Sequence, residues 1–383
     1  MSSMFPTYTR FDMAIESAEG MEVFDTSGKK YIDFTSGIGV CNLGHRHPYV
    51  QIQIEDQLNK YWHISNLYYN PIQENVAKAL TEKSSGDLVF FANSGAEANE
   101  AAIKLARKAT NKEKVITFNQ SFHGRTFATM AATGQDKVRT GFGPMLEKFS
   151  YATYNDIESV KQLIDQNTAA IMLETIQGEG GVIPAKQDFI DELVELAEKY
   201  GVLIIIDEIQ TGIGRTGKGF GFEHYGLEPD IFTVAKGLGN GIPVGAMIAK
   251  QKYKEDFGPG SHGSTFGGNP IAMAAAEAVV ETVINEQFLK EVEAKGKYLV
   301  TQLEKELQDI SIIKEIRGKG LMVGIECSEE VAPFIKKLLN KGVLVLSAGT
   351  HVLRLLPPLI VTYEEIDKIV KMIKHALSGD EEK

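Results

Sequence analysis

The sequence predicts an α/β fold, a large domain with a mostly parallel sheet flanked by helices plus a smaller α+β domain. Three observations predict it. Through the middle of the chain short β-branched runs alternate with longer amphipathic stretches, the pattern of strands joined by crossover helices. Beyond it, long helices are followed by short strands with no such alternation. The length, 383 residues, exceeds one ordinary domain and suits a large unit with a smaller partner.

In chain order, Glu22 to Asp25 and Tyr31 to Phe34 flank a Ser27-Gly28 turn and read as a hairpin that lends strands to one of the domains. Leu88 to Ala92, Lys114 to Asn119, Ala169 to Glu174, Val202 to Asp207, Ile231 to Ala235 and Ala246 to Ala249 read as the central strands. Helical periodicity fills several of the intervals, as at Ala96 to Ala109 and Asp188 to Tyr200. An alanine-rich helix, Pro270 to Asn285, and a second, Leu289 to Gln308, lead to short strands near Ile312 to Ile316, Met322 to Glu326, Val343 to Leu346 and Val352 to Leu355. The expected division is an N-terminal segment, 1–44, packing with the small domain, a large cofactor-binding domain, 45–285, and a small C-terminal domain, 286–383. The charged tail Ser378 to Lys383 reads as a frayed end.

Composition narrows the function. A hydrophobic content of 43% with 24% charged residues fits a soluble globular enzyme and excludes disorder, collagen and a disulfide scaffold. The net charge of -11 argues against nucleic acid or an anionic membrane as partner, so any anionic ligand must meet a few arginines in a shielded pocket. Cys41 and Cys327 are too few and too far apart for a metal site or a disulfide framework, so no metal and a reducing, cytoplasmic location are expected. No apolar run approaches the roughly 18 residues that span a bilayer. The 37 glycines against 12 prolines are clustered, which marks backbone that turns sharply or approaches a ligand.

Candidate site residues fall at predicted strand ends. Asn93-Ser94-Gly95-Ala96-Glu97-Ala98 joins a strand to a helix, where unpaired N–H groups and the positive end of the helix dipole make a phosphate cradle. A plain serine cap with a glycine turn reads the same way. Asp207 closes the run Leu203-Ile204-Ile205-Ile206, at the carboxyl end of a buried strand, where an unpaired charge is costly and calls for a cationic partner. Glu208 beside it reads as the solvated member of the pair. Gly212, Gly214 and Gly217 match a dinucleotide spacing, but no helical periodicity follows and the fingerprint must open a helix. Lys236 ends the apolar run Ile231 to Ala235 and precedes Gly237-Leu238-Gly239, a placement in which desolvation lowers the amine pKa and makes it nucleophilic. For a lone lysine a surface loop is the alternative. A phosphate cradle, a buried carboxylate and a strand-end lysine on one sheet are together what pyridoxal phosphate chemistry requires.

These residues, with Phe122-His123-Gly124-Arg125-Thr126, Gln177-Gly178-Glu179-Gly180-Gly181, Gly214-Arg215-Thr216-Gly217 and Ser264-Thr265-Phe266-Gly267-Gly268-Asn269-Pro270, resemble the class III aminotransferases of pyridoxal phosphate fold type I, in order and spacing from Tyr8 to Pro358. The resemblance implies pyridoxal 5'-phosphate as cofactor, Lys236 as the lysine that holds it covalently and Asp207 as the partner of its ring nitrogen. It gives the phosphate to the N–H groups of Gly95 and Ala96, the two ring faces to Ile209 and Phe122, and the ring hydroxyl to Gln210. Thr265 corresponds to a threonine that reaches the phosphate of a second subunit, with Ser264 close to substrate, which implies a homodimer with shared sites. Arg125 would hold the carboxylate remote from the reacting amine. Arg354 would grip the α-carboxylate of glutamate or 2-oxoglutarate, with Glu179 pairing to it when no such carboxylate is present.

Within the class, Tyr8-Thr9-Arg10, Ser65-Asn66-Leu67-Tyr68-Tyr69 and the compact length resemble the bacterial acetylornithine aminotransferases. Ile38 stands where the ornithine enzymes carry a tyrosine for a free α-amine, and an aliphatic side chain cannot accept that hydrogen bond. Expected substrates are therefore N2-acetylornithine and 2-oxoglutarate, in arginine biosynthesis. Other ω-aminotransferases, acting on 4-aminobutyrate, succinylornithine or acetyllysine, are the alternatives.

Overall fold

The computed structural model describes residues 3–378; of the tail Ser378 to Lys383, everything after Ser378 lies outside them. The core is a seven-stranded sheet in the order β4-β12-β11-β10-β7-β5-β6. Its strands are β4 (Leu88–Ala92), β5 (Lys114–Phe118), β6 (Phe149–Ala152), β7 (Thr168–Leu173), β10 (Leu203–Asp207), β11 (Ile231–Val234) and β12 (Gly245–Ala249). Only β12 runs against the others, so the sheet is mostly parallel as predicted. β7 and β11 are buried at every residue, as expected of strands covered on both faces. β6 is not signalled by the sequence. It is a sheet edge of four residues, Phe-Ser-Tyr-Ala, with one buried position.

Helices cover the sheet. The helix Gly95–Thr110 starts at Ser94, whose hydroxyl accepts from the Glu97 N–H at 3.2 Å, and ends at left-handed Asn111. Its buried face is mostly alanine, Ala98, Ala101, Ala102 and Ala106, which lets the helix lie close to β11 and β12. The helix Pro270–Val283 packs against the helices Pro48–Leu58 and Pro71–Glu82, and that two-sided burial accounts for its alanine-rich, nearly uncharged sequence. It is two residues shorter than predicted because Asn285 caps the next helix, Glu286–Leu307, accepting from the Gln287 and Phe288 N–H groups.

The remaining strands form smaller sheets. β13 (Ile313–Lys319), β14 (Met322–Cys327), β17 (Val352–Leu355) and β16 (Leu346–Ala348) make an antiparallel sheet in that order. β8 (Ile176–Gln177) and β9 (Ile183–Pro184) make a short ladder. The N-terminal strands β1 (Ile15–Glu19), β2 (Glu22–Asp25) and β3 (Lys30–Asp33) are completed by β15 (Val343–Leu344), which pairs parallel with β3. Among the described residues no helix is long and apolar enough to cross a membrane.

Topology positions the site. Because β4, β10 and β11 run the same way, their carboxyl ends emerge on one edge of the sheet, where open α/β sheets hold ligands. Ser94-Gly95, Asp207 and Lys236 follow those ends. β12 enters the sheet from the same edge, so Val244 joins them in lining one cavity of about 450 Å³.

Candidate active site

The floor of that cavity is built on Asp207. Its Oδ2 accepts from Asn99 Nδ2 and pairs with His123 Nδ1, each at 2.8 Å, and its Oδ1 accepts from the Ile209 N–H at 3.0 Å. Buried among these partners, Asp207 faces the cavity. Lys236 opens a short 3-10 turn directly after β11 and holds a left-handed backbone, φ 42°, the kind of local strain that collects at functional sites. Burial pushes its ammonium below the ordinary lysine range, partly opposed by the nearby Glu179 carboxylate.

The helix Gly95–Thr110 points its first turn at the same space, and Gly95 and Ala96 both line it. A side chain at Gly95 would strike Ile209 Cδ1 at 2.6 Å, so glycine there lets Ile209 pack on the helix start. The Glu97 carboxylate, which would repel an anion, is taken up by the Asn93 N–H and side-chain amide at 2.6 and 2.9 Å. Phe122 lines the cavity, and the Arg125 guanidinium lies 5.5 Å from its ring centroid. Arg125 is exposed at the rim, not in the shielded pocket the charge balance suggested.

Arg354 lies deeper, 2% exposed on β17. Its Nη1 donates to Glu179 Oε1 at 2.6 Å and to Gln210 Oε1 at 3.0 Å, while its Nε is buried without a partner. Burial pushes the Glu179 carboxyl up, but the charge and hydrogen bond of Arg354 outweigh it and hold the group below the usual carboxylate range. Next to Gln210 lies the turn Ser36-Gly37-Ile38-Gly39, with φ values of 48°, 60°, 70° and 71°. A left-handed conformation is unusual for any β-branched residue. The base of the turn is fixed: Asp33 Oδ1 accepts from the Thr35 and Ser36 N–H groups at 2.8 and 3.1 Å, and the Ser36 hydroxyl donates to the Leu356 carbonyl at 2.6 Å. Ile38 at the top is 44% exposed.

The cavity thus brings together Lys236, Asp207, Gly95, Ala96, Phe122, Ile209, Gln210, Arg125 and Glu179, with Arg354 one hydrogen bond behind. Ile38 stands outside the lining, two residues from Val40, which is part of it. Ser264 touches the site only through its hydroxyl, which accepts from Asn93 Nδ2 at 3.2 Å. Thr265 is exposed and borders a separate small cleft with His63 and Asn66.

Glu208 corrects a sequence expectation. It is not solvated but 1% exposed, accepting from the Thr211 hydroxyl and the Gly221 and Phe222 N–H groups, and burial pushes its pKa up to about 7. The chain folds the Gly212 to Gly221 loop back over it. Sequence reasoning also missed Asn99, the role of His123, and Glu174, a cavity-lining carboxylate that burial pushes up to about 7. Asn99 carried a signal: an asparagine inside an alanine-rich helix is out of place unless its side chain has work elsewhere.

These residues fit pyridoxal phosphate. The helix start can take the phosphate, the lysine the aldehyde and the carboxylate a protonated ring nitrogen, while Ile209 and Phe122 leave a slot for a flat ring. Known proteins agree. The chain is 57% identical over 374 residues to an acetylornithine aminotransferase of Bacillus anthracis, covering 98% of this chain and 97% of that protein. It is 59% identical over 377 residues to an acetylornithine aminotransferase of Halalkalibacterium halodurans, covering 98% of each. In structure it resembles the ornithine aminotransferase of Toxoplasma gondii, with a TM-score of 0.93 at 31% identity over 98% of this chain and 92% of that one; pyridoxal phosphate partly occupies that protein's active site. The family description "Aminotransferase class-III" matches residues 4–377, and with a site built from a strand-end lysine, a buried carboxylate and a helix start, this chain belongs to the class III aminotransferases.

Proposed function

We propose that this chain transfers the δ-amino group of N2-acetyl-L-ornithine to 2-oxoglutarate, giving N-acetyl-L-glutamate 5-semialdehyde and L-glutamate, with pyridoxal 5'-phosphate as cofactor, in the cytoplasm. The observation that carries it is the Glu179–Arg354 pair beside the cavity, 2.6 Å long. One site must accept two kinds of substrate in turn, and this pair suits both. With Glu179 in place the guanidinium is neutralised, and a donor amine without an α-carboxylate there meets no bare positive charge. With Glu179 displaced, Arg354 offers its donors to the α-carboxylate of 2-oxoglutarate. The high identity to acetylornithine aminotransferases supports this choice of amine, as does aliphatic Ile38, which favours an acylated α-amine.

When bound, the cofactor supplies an aldehyde that links to amines and a protonated ring that takes up electrons from the carbon being deprotonated. The chain supplies the rest. Asp207 would keep the proton on the ring nitrogen; Ile209 and Phe122 would flank the ring; the first turn of the helix Gly95–Thr110 would bind the phosphate. Gln210 would meet the ring hydroxyl. Lys236 Nζ, its pKa lowered by burial, would take the proton from the substrate's δ-carbon as general base and, as general acid, would give it to the carbon that came from the cofactor's aldehyde. Arg125 at the rim pairs with the remote carboxylate.

The reading includes a homodimer. Thr265 is outside the cavity of its own chain and would serve the partner's phosphate, with Ser264 beside it near substrate. The surrounding surface exposes Trp62, Leu67, Tyr69 and Phe266, apolar area that favours burial. It also takes the division into 1–44, 45–285 and 286–383, with the substrate mouth where the first and last parts meet the middle one. One assay tests the function. Purified protein loaded with pyridoxal phosphate should lose its visible absorption with N2-acetylornithine or glutamate and regain it with 2-oxoglutarate. Absorption unmoved by acetylornithine but moved by 4-aminobutyrate would overturn the proposed amine.

A further inference from the structure

We infer that Asn99 is a positioning residue that aims the Asp207 carboxylate at the cofactor's ring nitrogen and ties the cofactor anchors to one another. The inference rests on the reading of Asp207 given above. Asn99 lies one turn into the helix Gly95–Thr110, between Ala98 and Ala101 and 0% exposed. Such a position favours alanine, and a buried amide there must have all its polar atoms satisfied.

It does. Asn99 Nδ2 donates to Asp207 Oδ2 and to the His123 carbonyl, each at 2.8 Å, and Asn99 Oδ1 accepts from the Thr233 hydroxyl at 2.7 Å. The reversed amide would set its oxygen against a carboxylate and a carbonyl, so the partners fix its orientation. One side chain therefore joins the phosphate helix, the end of β10, the loop that carries Phe122, and β11 three residues before Lys236.

The consequence falls on Asp207. Its Oδ2 receives both Asn99 and His123, while Oδ1 receives only the Ile209 N–H, which leaves Oδ1 the lone pair that can meet a protonated ring nitrogen. With Oδ1 so aimed, Asp207 would hold the proton on the ring nitrogen, and loosening that aim would shift the cofactor's pH midpoint. The ionisable groups whose charge reaches Asp207 are His123, Glu174, Glu208 and Lys236. Asn99 is the neutral donor among its side-chain contacts, and its effect does not depend on pH.

The test uses the holoenzyme and four variants: Asn99→Leu, Thr233→Val, Thr233→Ser and Asp207→Asn. Three quantities are measured: the pH midpoint of the cofactor's visible absorption, the cofactor dissociation constant, and kcat separately from KM. Asn99→Leu should lower kcat roughly ten- to a hundredfold, the range of one hydrogen bond to a charged group, with KM for acetylornithine little changed. It should also move the pH midpoint in the same direction as Asp207→Asn and weaken cofactor binding. Thr233→Val should do the same to a smaller extent, and Thr233→Ser, which keeps the hydroxyl, should match the wild type. If Asn99→Leu does not fold, the contrast between Thr233→Val and Thr233→Ser decides: a shifted midpoint for Val alone supports the inference, and equal midpoints overturn it. A folded Asn99→Leu with wild-type midpoint and kcat overturns it too. If Asp207→Asn moves the midpoint and Asn99→Leu does not, the inference alone fails; if Asp207→Asn leaves it unmoved, the reading of Asp207 fails and the inference with it.

Discussion

On the floor of the cavity Asp207, at the end of β10, is held from behind by Asn99 on the helix Gly95–Thr110 and by His123 and the Ile209 backbone in the loops after β5 and β10. Toward the rim the backbone turns through four left-handed residues, Ser36 to Gly39, and deeper in Arg354 pairs with a carboxylate and an amide, partners that a substrate would replace on the proposed reading. The floor has one arrangement to keep. The rim has two substrates to admit. The difference teaches where substrate choice has room to evolve: a partner lost by Arg354 could be replaced by a substrate carboxylate, whereas one lost by Asp207 leaves a buried acceptor unsatisfied.

Variants should divide along that line. Lys236→Ala, on the floor, should cut turnover with every substrate at least about a thousandfold while leaving the thermal midpoint near wild type; appreciable steady-state activity would break the assignment. Also on the floor side, burial raises the Glu208 carboxyl from 4.5 to about 7. Between those values the folded chain holds a proton that the unfolded chain has lost, so stability falls as pH rises from about 4.5 to about 7, by up to about 3 kcal/mol. Thermal melts of the cofactor-free protein across that window should show the fall, and Glu208→Gln should flatten it in part, since Glu174 titrates in the same range.

Rim variants should separate the two half-reactions. Glu179→Ala bares Arg354 and should slow the acetylornithine half-reaction roughly tenfold or more, with the glutamate half-reaction much less affected; single-turnover absorbance with each amine measures both. Equal losses would mean that Glu179 belongs with the floor. The smallest effect is expected at Ile38. Ile38→Gly removes the penalty of a β-branched residue in a left-handed turn, against glycine's own backbone entropy, for a net gain of at most about 1 kcal/mol in denaturant unfolding. Ile38→Tyr supplies an acceptor for a free α-amine and should raise kcat/KM for ornithine relative to acetylornithine.

The same division governs what was legible in the sequence. Asp207 and Lys236 end runs of buried β-branched residues, so strand periodicity alone put them on one sheet edge. Gly95 announced itself as the glycine between a strand and a helix. Nothing periodic marks Glu179, Gln210 or Arg354, which lie far apart in the chain and meet through the tertiary fold; only their resemblance to a known family drew attention to them. Glu208 was misjudged because its neighbour is buried on a strand while it is buried by a loop, and loop folding over a carboxylate leaves no period. The edge strand β6 was missed for want of a buried β-branched run, and the left-handed turn at Ile38 was invisible because nothing but glycine advertises positive φ.

The parallel pairing of β3 with β15 has a consequence for biogenesis. While the chain is being made, the sheet from β4 to β12 with its phosphate helix, carboxylate and lysine is complete in sequence long before residue 344 emerges. Until then β3 has one bare edge, and Arg354 has not been synthesised. Contacts so distant along the chain form late, so the nascent protein has a place for its cofactor before it has a mouth for its substrates.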